Sequence, residues 1–359
     1  MIGELLNKTQ SEEGGLAGYM GGDDFVILLP DSPAVLRRLQ EEITRYMKEY
    51  GGTAGFLPAF GIYGIDGGGL PVSNMYDLAV IALSSVKGNY AQRVSRYDSR
   101  MKQKLEEDHR LLSEIQRALE NGEITFYAQP KCNMRTGKIV GLESLVRWNH
   151  PEQGLLMPGS FIPFFEKKGL IVRVDLHMFE QVCRTVRRWL DEGRPAVTVS
   201  CNFSQMHFGH DGFAGQVSEI ADRFQVPHHL LEVEITESAI ADAPESVSSA
   251  LTELKMRGFQ IAIDDFGSGY SSLGQLQRLR ADVLKLDRSF VCAGLQGPRE
   301  QIVIENLVNM ASELGMEVVC EGVETQVQVK VLQDIGCHIA QGYYYYRPMQ
   351  TAAFEQLLG

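Results

Sequence analysis

The sequence is short of basic residues. It has 34 Lys and Arg against 46 Asp and Glu, which gives a formal net charge of −12. A protein that binds a nucleic-acid backbone without sequence preference needs a basic face, so this composition argues against a polymeric nucleic-acid partner. One small phosphorylated ligand stays compatible with the charge, because bound cations can supply the positive charge that such a ligand requires.

Disulfide frames, zinc ribbons and membrane spans also lack their usual signals. The six cysteines include no Cys-x-x-Cys pair, which is typical of reduced, buried thiols in the cytoplasm. No apolar run approaches the roughly 18 residues of a membrane helix, and the N-terminus shows no signal-peptide pattern. We therefore predict a cytoplasmic protein with no membrane contact within this chain, although an anchor upstream of Met1 would not be visible in it.

Composition divides the chain near residue 100. The 359 residues are 44% hydrophobic and 22% charged, as in ordinary globular proteins, and 15 of the 36 glycines lie in residues 1–100. Apolar residues at three- and four-residue spacing predict a helix over 99–121, docked on the next domain or, alternatively, dimerising as a coiled coil. The predicted organisation is a smaller α+β segment (1–98), a connecting helix (99–121) and a larger domain (122–359).

The larger domain alternates short β-rich runs with helical patterns. Eight such runs over roughly 240 residues predict an α/β fold, a TIM-like (β/α)8 barrel. The connection from Pro130 to Lys138 is too short for a parallel crossover, so we expect the first two strands to be antiparallel. The predicted strands are Ile124–Ala128, Lys138–Val146, Val197–Asn202, Leu231–Thr236, Gln260–Asp264, Asp282–Asp287, Met316–Glu321 and His338–Tyr343.

Acidic or amide side chains occur at the ends of seven consecutive predicted strands. In a barrel of this class the carboxyl ends of the strands carry the chemistry. Clustered carboxylates need compensating charge, and all-oxygen ligands favour Mg²⁺ or Mn²⁺ over zinc. The alternative is that these carboxylates pair with Lys and Arg at the barrel rim. The residues are Glu143, Asn202, Glu234 with Glu237, Asp264 with Asp265, Lys285 with Asp287, Glu321 with Glu324, and Gln341.

The string Asp264-Asp265-Phe266-Gly267 is the sharpest local motif. It follows an apolar run that predicts a buried strand, which favours a site over a solvated turn. Two adjacent carboxylates at a strand end can hold two ions about 4 Å apart, a spacing that clamps both reacting oxygens of a phosphodiester. Such a site should be inhibited by Ca²⁺, which takes longer and looser oxygen contacts than Mg²⁺ does. Lys285 alternates with apolar residues and should point inward, either to orient a water or as a structural ion pair.

At these residues the sequence resembles a known family. The run Glu143–Trp148 is similar to the signature of EAL-domain cyclic di-GMP phosphodiesterases, with Ser144 where the family name has alanine. Further matches follow in family order across about residues 105–359, and the family fold is a TIM-like barrel with one antiparallel strand. These matches are His150-Pro151, Pro158-Gly159, Phe161–Pro163, Asn202–Ser204, Glu234–Glu237, Asp264–Ser272, Lys285–Asp287, Glu321–Thr325 and Gln341–Tyr343.

The resemblance implies a role for each matching position. One metal ion would be held by Glu143, Asn202, Glu234 and Asp264, and a second by Asp264, Asp265 and Glu321. Lys285 would hold the attacking water, Glu321 would also serve as general base, and Glu237 would anchor the loop after Asp265. The implied substrate contacts are Gln129, Ser144, Leu145, Arg147, Phe161, Pro163, Asp287, Glu324 and Gln341, with Phe161 and Pro163 stacking on a base.

The implied function is hydrolysis of cyclic di-GMP to linear pGpG with two Mg²⁺ or Mn²⁺ ions, in bacterial second-messenger signalling and as a homodimer. One alternative is a catalytically silent cyclic di-GMP receptor that acts through protein partners. Silent members typically lose a metal ligand or the Asp-Asp-Phe-Gly loop, and this sequence keeps both. A third alternative is an unrelated barrel aldolase or a sugar-phosphate enzyme.

Residues 1–98 resemble part of a second family, the GGDEF diguanylate cyclases. Gly21–Pro30 is similar to the hairpin of that family, with Asp24 where the family has glutamate. The family's first strand, its metal-binding aspartate and its Arg-x-x-Asp inhibitory site have no counterpart in the sequence. We therefore expect a truncated or degenerate GGDEF-like segment that makes no cyclic di-GMP and has a regulatory or dimerising role.

Overall fold

The computed structural model describes residues 2–50, 58–67, 69–87, 92–209, 212–242, 244–267, 280–293 and 297–358. The chain divides into two compact units, Met1–Leu111 and Leu112–Gly359. Within the described ranges, no helix is both long enough and apolar enough to cross a membrane.

The first unit combines short strands with amphipathic helices. A hairpin pairs β1 with β2, and the later strands β3 and β4 form a separate parallel pair. Gly22 and Asp23 form the hairpin turn, closed by the pair Gly21 and Asp24. Gly21 and Gly22 have φ of 113° and 60°, a region that favours glycine. Leu6, Leu39 and Ile43 form its buried cluster. The elements are α1 (Ile2–Glu13), β1 (Leu16–Gly21), β2 (Asp24–Leu28), α2 (Pro33–Tyr50), β3 (Phe60–Ile62), α3 (Val72–Ser84), β4 (Val94–Arg96) and α4 (Ser99–Glu120), which continues into the second unit.

The second unit is a closed barrel of eight strands, in the order β5, β6, β8, β9, β10, β11, β12, β13 and back to β5. β5 is antiparallel to both of its neighbours and the other barrel pairs are parallel, which confirms the predicted barrel and its antiparallel first strand. The strands are β5 (Ile124–Asn133), β6 (Ile139–His150), β7 (Gly154–Leu156, outside the barrel wall), β8 (Thr198–Asn202), β9 (Leu231–Thr236), β10 (Gln260–Phe266), β11 (Val283–Leu286), β12 (Glu317–Cys320), β13 (Ile339–Ala340) and β14 (Met349–Gln350, paired with β5).

Helices connect the parallel strands. The longest of these described helices, α6, buries Ile171, Val174, Met178 and Val182 at three- and four-residue spacing, as a helix packed on a sheet requires. The helices are α5 (Pro158–Lys167), α6 (Ile171–Asp191), α7 (Phe213–Arg223), α8 (Glu237–Asp242), α9 (Pro244–Met256), α10 (Arg288–Ala293), α11 (Pro298–Glu313), α12 (Gln326–Asp334) and α13 (Thr351–Leu358), with short 3-10 turns at Gln205–Gly209 and His228–Leu230.

The barrel interior is built in layers, because side chains two residues apart on a strand share a face. Each barrel strand, or the residue that directly follows it, contributes one residue to each of two layers. The site layer contains Gln129, Glu143, Asn202, Glu234, Asp264, Lys285, Glu321 and Gln341. The second layer contains Lys131, Gly141, Ser200, Glu232, Ala262, Val283, Val319 and Ile339.

Candidate active site

Lys285 lies at the centre of the site layer. Its side chain is buried, and its ammonium group faces carboxylates from four other strands or strand ends. The distances from Lys285 Nζ are 3.3 Å to Glu143 Oε2, 2.9 Å to Glu234 Oε2, 3.0 Å to Asp264 Oδ1 and 2.7 Å to Glu321 Oε1. The sequence left open whether Lys285 makes ion pairs or orients a water, and the structure shows that it pairs with all four carboxylates.

The carboxylates in and beside the two layers outnumber the lysines. Two groups of three have ligand atoms within 4.8 Å of one another: Glu143, Glu234 and Asp264, and Asp264, Asp265 and Glu321. Adding Glu232 gives six carboxyl groups against two ammonium groups, those of Lys131 and Lys285. Carboxylate oxygens in this number fit hard divalent cations, and Asp264 belongs to both groups as a bridging ligand would.

Burial and the neighbouring charges shift the pKa values of these carboxyl groups. Burial raises the pKa of Glu321 to about 8, and burial likewise raises the pKa values of Glu143 and Asp264. Burial acts in the same direction on Glu234, but Lys131 and Lys285 outweigh it and hold the pKa of Glu234 well below its usual range. The site therefore contains carboxyl groups that resist ionisation until further positive charge arrives.

A local break in β10 brings Asp264 and Asp265 together. Consecutive strand residues normally point to opposite faces. Asp265 has a φ of 55°, in the left-handed region, and the pairing of β10 with β11 shifts register between Ile263 and Phe266. The backbone N–H of Asp265 donates to Asp264 Oδ1 at 2.9 Å. This bulge puts two adjacent carboxylates beside the same neighbour, Glu321, at a conformational cost of about 1–3 kcal/mol.

Glu237 holds the start of the loop that follows. Its buried carboxylate accepts a hydrogen bond from the backbone N–H of Gly267 at 2.5 Å. Gly267 has a φ of 93°, and a Cβ there would lie 1.8 Å from the Phe290 ring, so only glycine fits. The rest of the predicted glycine-containing loop, from Ser268 onward to residue 279, lies outside the described residues.

Three amide side chains surround Glu143. Asn202 Nδ2 donates to Glu143 Oε1 at 2.8 Å, and Gln341 Nε2 donates to Glu143 Oε2 at 2.6 Å and to Gln129 Oε1 at 3.1 Å. Because the Asn202 nitrogen is a donor, its carbonyl oxygen is the atom that a metal would use. Gln341 Oε1 is buried and, among the described residues, has no hydrogen-bond partner. A buried acceptor without a partner marks a place where a ligand or water is needed.

The predicted substrate residues on β6 differ in the direction and burial of their side chains. Arg147 is buried, with its guanidinium 5.6 Å above the Tyr127 ring. Ser144 turns away from Glu143 and its hydroxyl donates to the backbone carbonyl of Ser200 at 2.7 Å. Leu145 is half-buried.

Phe161 and Pro163, which were expected to stack on a base, lie in different environments. Phe161 has no exposed surface and packs in the core with its ring 5.7 Å from that of Trp148. In this structure it is not available to a base, which corrects the stacking expectation for Phe161. Pro163 is exposed on α5.

Two further predicted residues lie around the start of α10. Asp287 Oδ1 accepts from the backbone N–H of Ser289 at 2.9 Å, as a helix cap does. Burial raises the pKa of Asp265, and the negative charge of Asp287 acts in the same direction. Glu324 is exposed and forms an ion pair with Arg288 at 2.9 Å.

Sequence reasoning missed the lysine of the second layer. Lys131 is buried, and its Nζ lies 2.7 Å from Glu232 Oε1 and 2.8 Å from Glu234 Oε1. The available signal was the alternation in β9, where Glu232 and Glu234 share a face. A second inward carboxylate on a buried strand requires a cation, and Lys131 is a charged residue within an otherwise buried stretch of β5.

Comparison with known proteins decides the family. The EAL domain family matches residues 112–348, which span the barrel from the middle of α4 to beyond β13. The chain belongs to the EAL-domain family.

Relatives of this EAL-domain chain include named phosphodiesterases. It is 34% identical over 346 residues to the bifunctional diguanylate cyclase/cyclic di-GMP phosphodiesterase MucR of Pseudomonas aeruginosa, covering 94% of this chain and 50% of MucR. It is 37% identical over 243 residues to the cyclic di-GMP phosphodiesterase RocR of the same species, covering 68% of this chain and 62% of RocR. The chain thus spans about half to three-fifths of the length of these curated relatives.

A solved structure of the PaMucR phosphodiesterase in complex with c-di-GMP is also similar. It has a TM-score of 0.65 and 36% identity, covering 68% of this chain and 99% of that structure. The fold expected from the sequence resemblance is therefore confirmed by both the family match and the structural similarity.

Proposed function

We propose that this chain is a metal-dependent phosphodiesterase that hydrolyses cyclic di-GMP to linear pGpG. The observation that carries the proposal is the pair of carboxylate groups that share Asp264 around a buried lysine, in a chain similar to named cyclic di-GMP phosphodiesterases. The silent-receptor alternative is less well supported, because every ligand position expected from the family is present and eight strands bring these side chains to one layer.

The residues present fit two divalent ions. One ion would be held by Glu143, Asn202, Glu234 and Asp264, and the other by Asp264, Asp265 and Glu321. When bound, Mg²⁺ or Mn²⁺ would supply Lewis-acid polarisation of the phosphodiester and acidify the attacking water. The excess of carboxylates over lysines supports this fit.

The chain's own groups then act on the water and the phosphodiester. Lys285 donates hydrogen bonds from the centre of the layer and would orient the water and offset negative charge on the phosphoryl oxygens. The Glu321 carboxylate, once ionised, would accept the proton of that water. Glu237 keeps Gly267 in place, so that Asp265 holds its strained geometry. Gln129, Arg147 and Gln341 supply polar groups for the guanine nucleotide.

The test is direct hydrolysis. Purified protein is incubated with cyclic di-GMP and Mg²⁺ or Mn²⁺, and the products are separated by chromatography, with a chelator-treated sample as control. We expect pGpG to form only with metal. Tight binding of cyclic di-GMP without any product under all metal conditions would refute the enzyme and leave the receptor.

Three further proposals concern the chain as a whole. We propose a homodimer, a cytoplasmic location, and a GGDEF-like first unit without cyclase activity. The match with MucR covers 94% of the chain and so includes the first unit, and the hairpin of that unit closes at the pair Gly21 and Asp24, with Gly22 in the turn. Light scattering of the full chain tests the dimer, and a monomer at all concentrations would refute it.

A further inference from the structure

The second layer of the barrel is polar on one side and apolar on the other. The residues that β10 to β13 contribute to this layer form a buried hydrophobic cluster: Ala262, Val283, Val319 and Ile339. The residues that β5, β8 and β9 contribute are polar or charged instead: Lys131, Ser200 and Glu232, all of them buried. Burying charged groups costs free energy that apolar residues would avoid, so a charged half-layer calls for a function beyond filling space.

Lys131 crosses the barrel interior from β5 to β9, past β6 and β8. Its ammonium nitrogen contacts Ser200 Oγ at 2.5 Å, Glu232 Oε1 at 2.7 Å and Glu234 Oε1 at 2.8 Å. An ammonium group has three hydrogens, and these three acceptors use all of them. Ser200 Oγ also donates to Glu232 Oε1 at 2.5 Å, so the anchors of Lys131 are fixed to each other.

Glu234 is held by a lysine at each oxygen. Lys131, in the second layer, donates a hydrogen bond to Oε1, and Lys285, in the site layer, donates one to Oε2 at 2.9 Å. Glu234 has no exposed surface. Because Oε1 is committed to Lys131, rotation of the carboxylate is blocked, and Oε2 stays on the side where Lys285 also contacts Glu143 and Asp264.

We propose that Lys131 is a positioning residue for metal binding. It fixes Glu234 from below, with Glu232 and Ser200 as its own anchors, so that Oε2 is presented to a divalent cation without rearrangement. Lys131 does not touch the reacting atoms, and its effect should appear in metal affinity rather than in the chemical step. The proposal deepens the proposed phosphodiesterase function and rests on it for the identity of the site.

The experiment measures Mn²⁺ binding to the metal-stripped full chain, without cyclic di-GMP, by the paramagnetic resonance signal of free Mn²⁺. Lys131→Met should weaken the site that contains Glu234 by about tenfold or more, the usual effect of losing a group that orients a ligand. The matched control is Glu232→Gln, which keeps an oxygen facing Lys131 Nζ and should stay within about threefold of wild type. Turnover of Lys131→Met should recover at saturating Mn²⁺, so that the metal requirement rises while kcat changes little.

Wild-type Mn²⁺ affinity in Lys131→Met would overturn the proposal. Equal weakening in both variants, in step with their loss of thermal stability, would also overturn it, because that result indicates a structural role only. If Lys131→Met does not fold, the double variant Lys131→Met/Glu232→Leu replaces the ion pair by apolar residues, like those of the other half-layer. Weakened Mn²⁺ binding in the double variant would support the proposal, and wild-type affinity would refute it. Failure of the wild-type chain to hydrolyse cyclic di-GMP would count against the proposed function and not against Lys131, since the binding assay contains no substrate.

Discussion

Asp264 is the residue whose loss should harm both metal positions at once. The substitution Asp264→Asn keeps the size of the side chain and removes the charge of the ligand that both carboxylate groups share. We expect turnover of cyclic di-GMP to fall by 10²-fold or more, which corresponds to about 2.7 kcal/mol or more of activation free energy.

The same substitution should not destabilise the metal-free protein. Burial raises the pKa of Asp264, so the folded state disfavours its ionised form, and at neutral pH that ionisation opposes folding. A neutral amide removes this cost. We therefore expect the melting temperature of metal-free Asp264→Asn to equal or exceed that of wild type.

Added Mg²⁺ should then distinguish the two proteins. At a hundred times its dissociation constant, a bound ion stabilises the wild type by about 2.7 kcal/mol, or about 5–10 °C for a domain of this size. A hundredfold weaker affinity would leave Asp264→Asn with a rise of about 1–2 °C at the same Mg²⁺ concentration. Thermal melts with and without Mg²⁺, together with product chromatography, make both measurements on one preparation.

The matched control is Asp282→Asn. Asp282 directly precedes β11, whereas the site layer lies towards the carboxyl end of that strand. Asp282 Oδ1 accepts from Lys255 Nζ at 2.8 Å and its Oδ2 accepts from the backbone N–H of Ile261 at 3.0 Å, away from the site layer. It should lose about 1 kcal/mol of stability and keep turnover within about threefold of wild type. Wild-type turnover in Asp264→Asn, or an unchanged Mg²⁺ effect on its melting temperature, would refute the shared-ligand geometry.

Four further predictions concern the same chain. Glu143→Ala and Asn202→Ala should each lower turnover by about 10²-fold or more through loss of a ligand, and wild-type rates in either would contradict that assignment. Ca²⁺ should occupy the carboxylates and inhibit, because its longer contacts misplace the water, and full activity in Ca²⁺ alone would argue against two-metal geometry. Burial raises the pKa of Glu321 to about 8, so metal binding at pH 7 should release protons and strengthen as pH rises towards 8. Calorimetric heats that do not depend on the buffer's ionisation enthalpy would exclude this release. Incubation with GTP and Mg²⁺ should give no cyclic di-GMP if the first unit is GGDEF-like as proposed, since Asp24 stands where that family has the longer glutamate. Detection of the product would contradict this expectation.

Much of the barrel and its acidic crevice follows from local sequence pattern. Alternating strands and helices specify parallel pairing, and the carboxyl ends of parallel strands meet at one edge, so Glu143, Glu234, Asp264 and Glu321 were expected together. The short connection after Pro130 likewise required an antiparallel pair. These features depend on spacing along the chain, which a sequence displays directly.

Contacts across the barrel interior were decided only by the tertiary structure. Lys131 reaches Glu234 past two intervening strands, and no spacing in the sequence pairs them. Phe161 is enclosed by Trp148, although its position in a motif suggested a ligand contact. Asp264 and Asp265 share a neighbour only because a bulge with a left-handed residue breaks the alternation of β10. In each case the outcome depends on packing between distant segments, whose register and depth are set when the barrel closes rather than by the residues on either side.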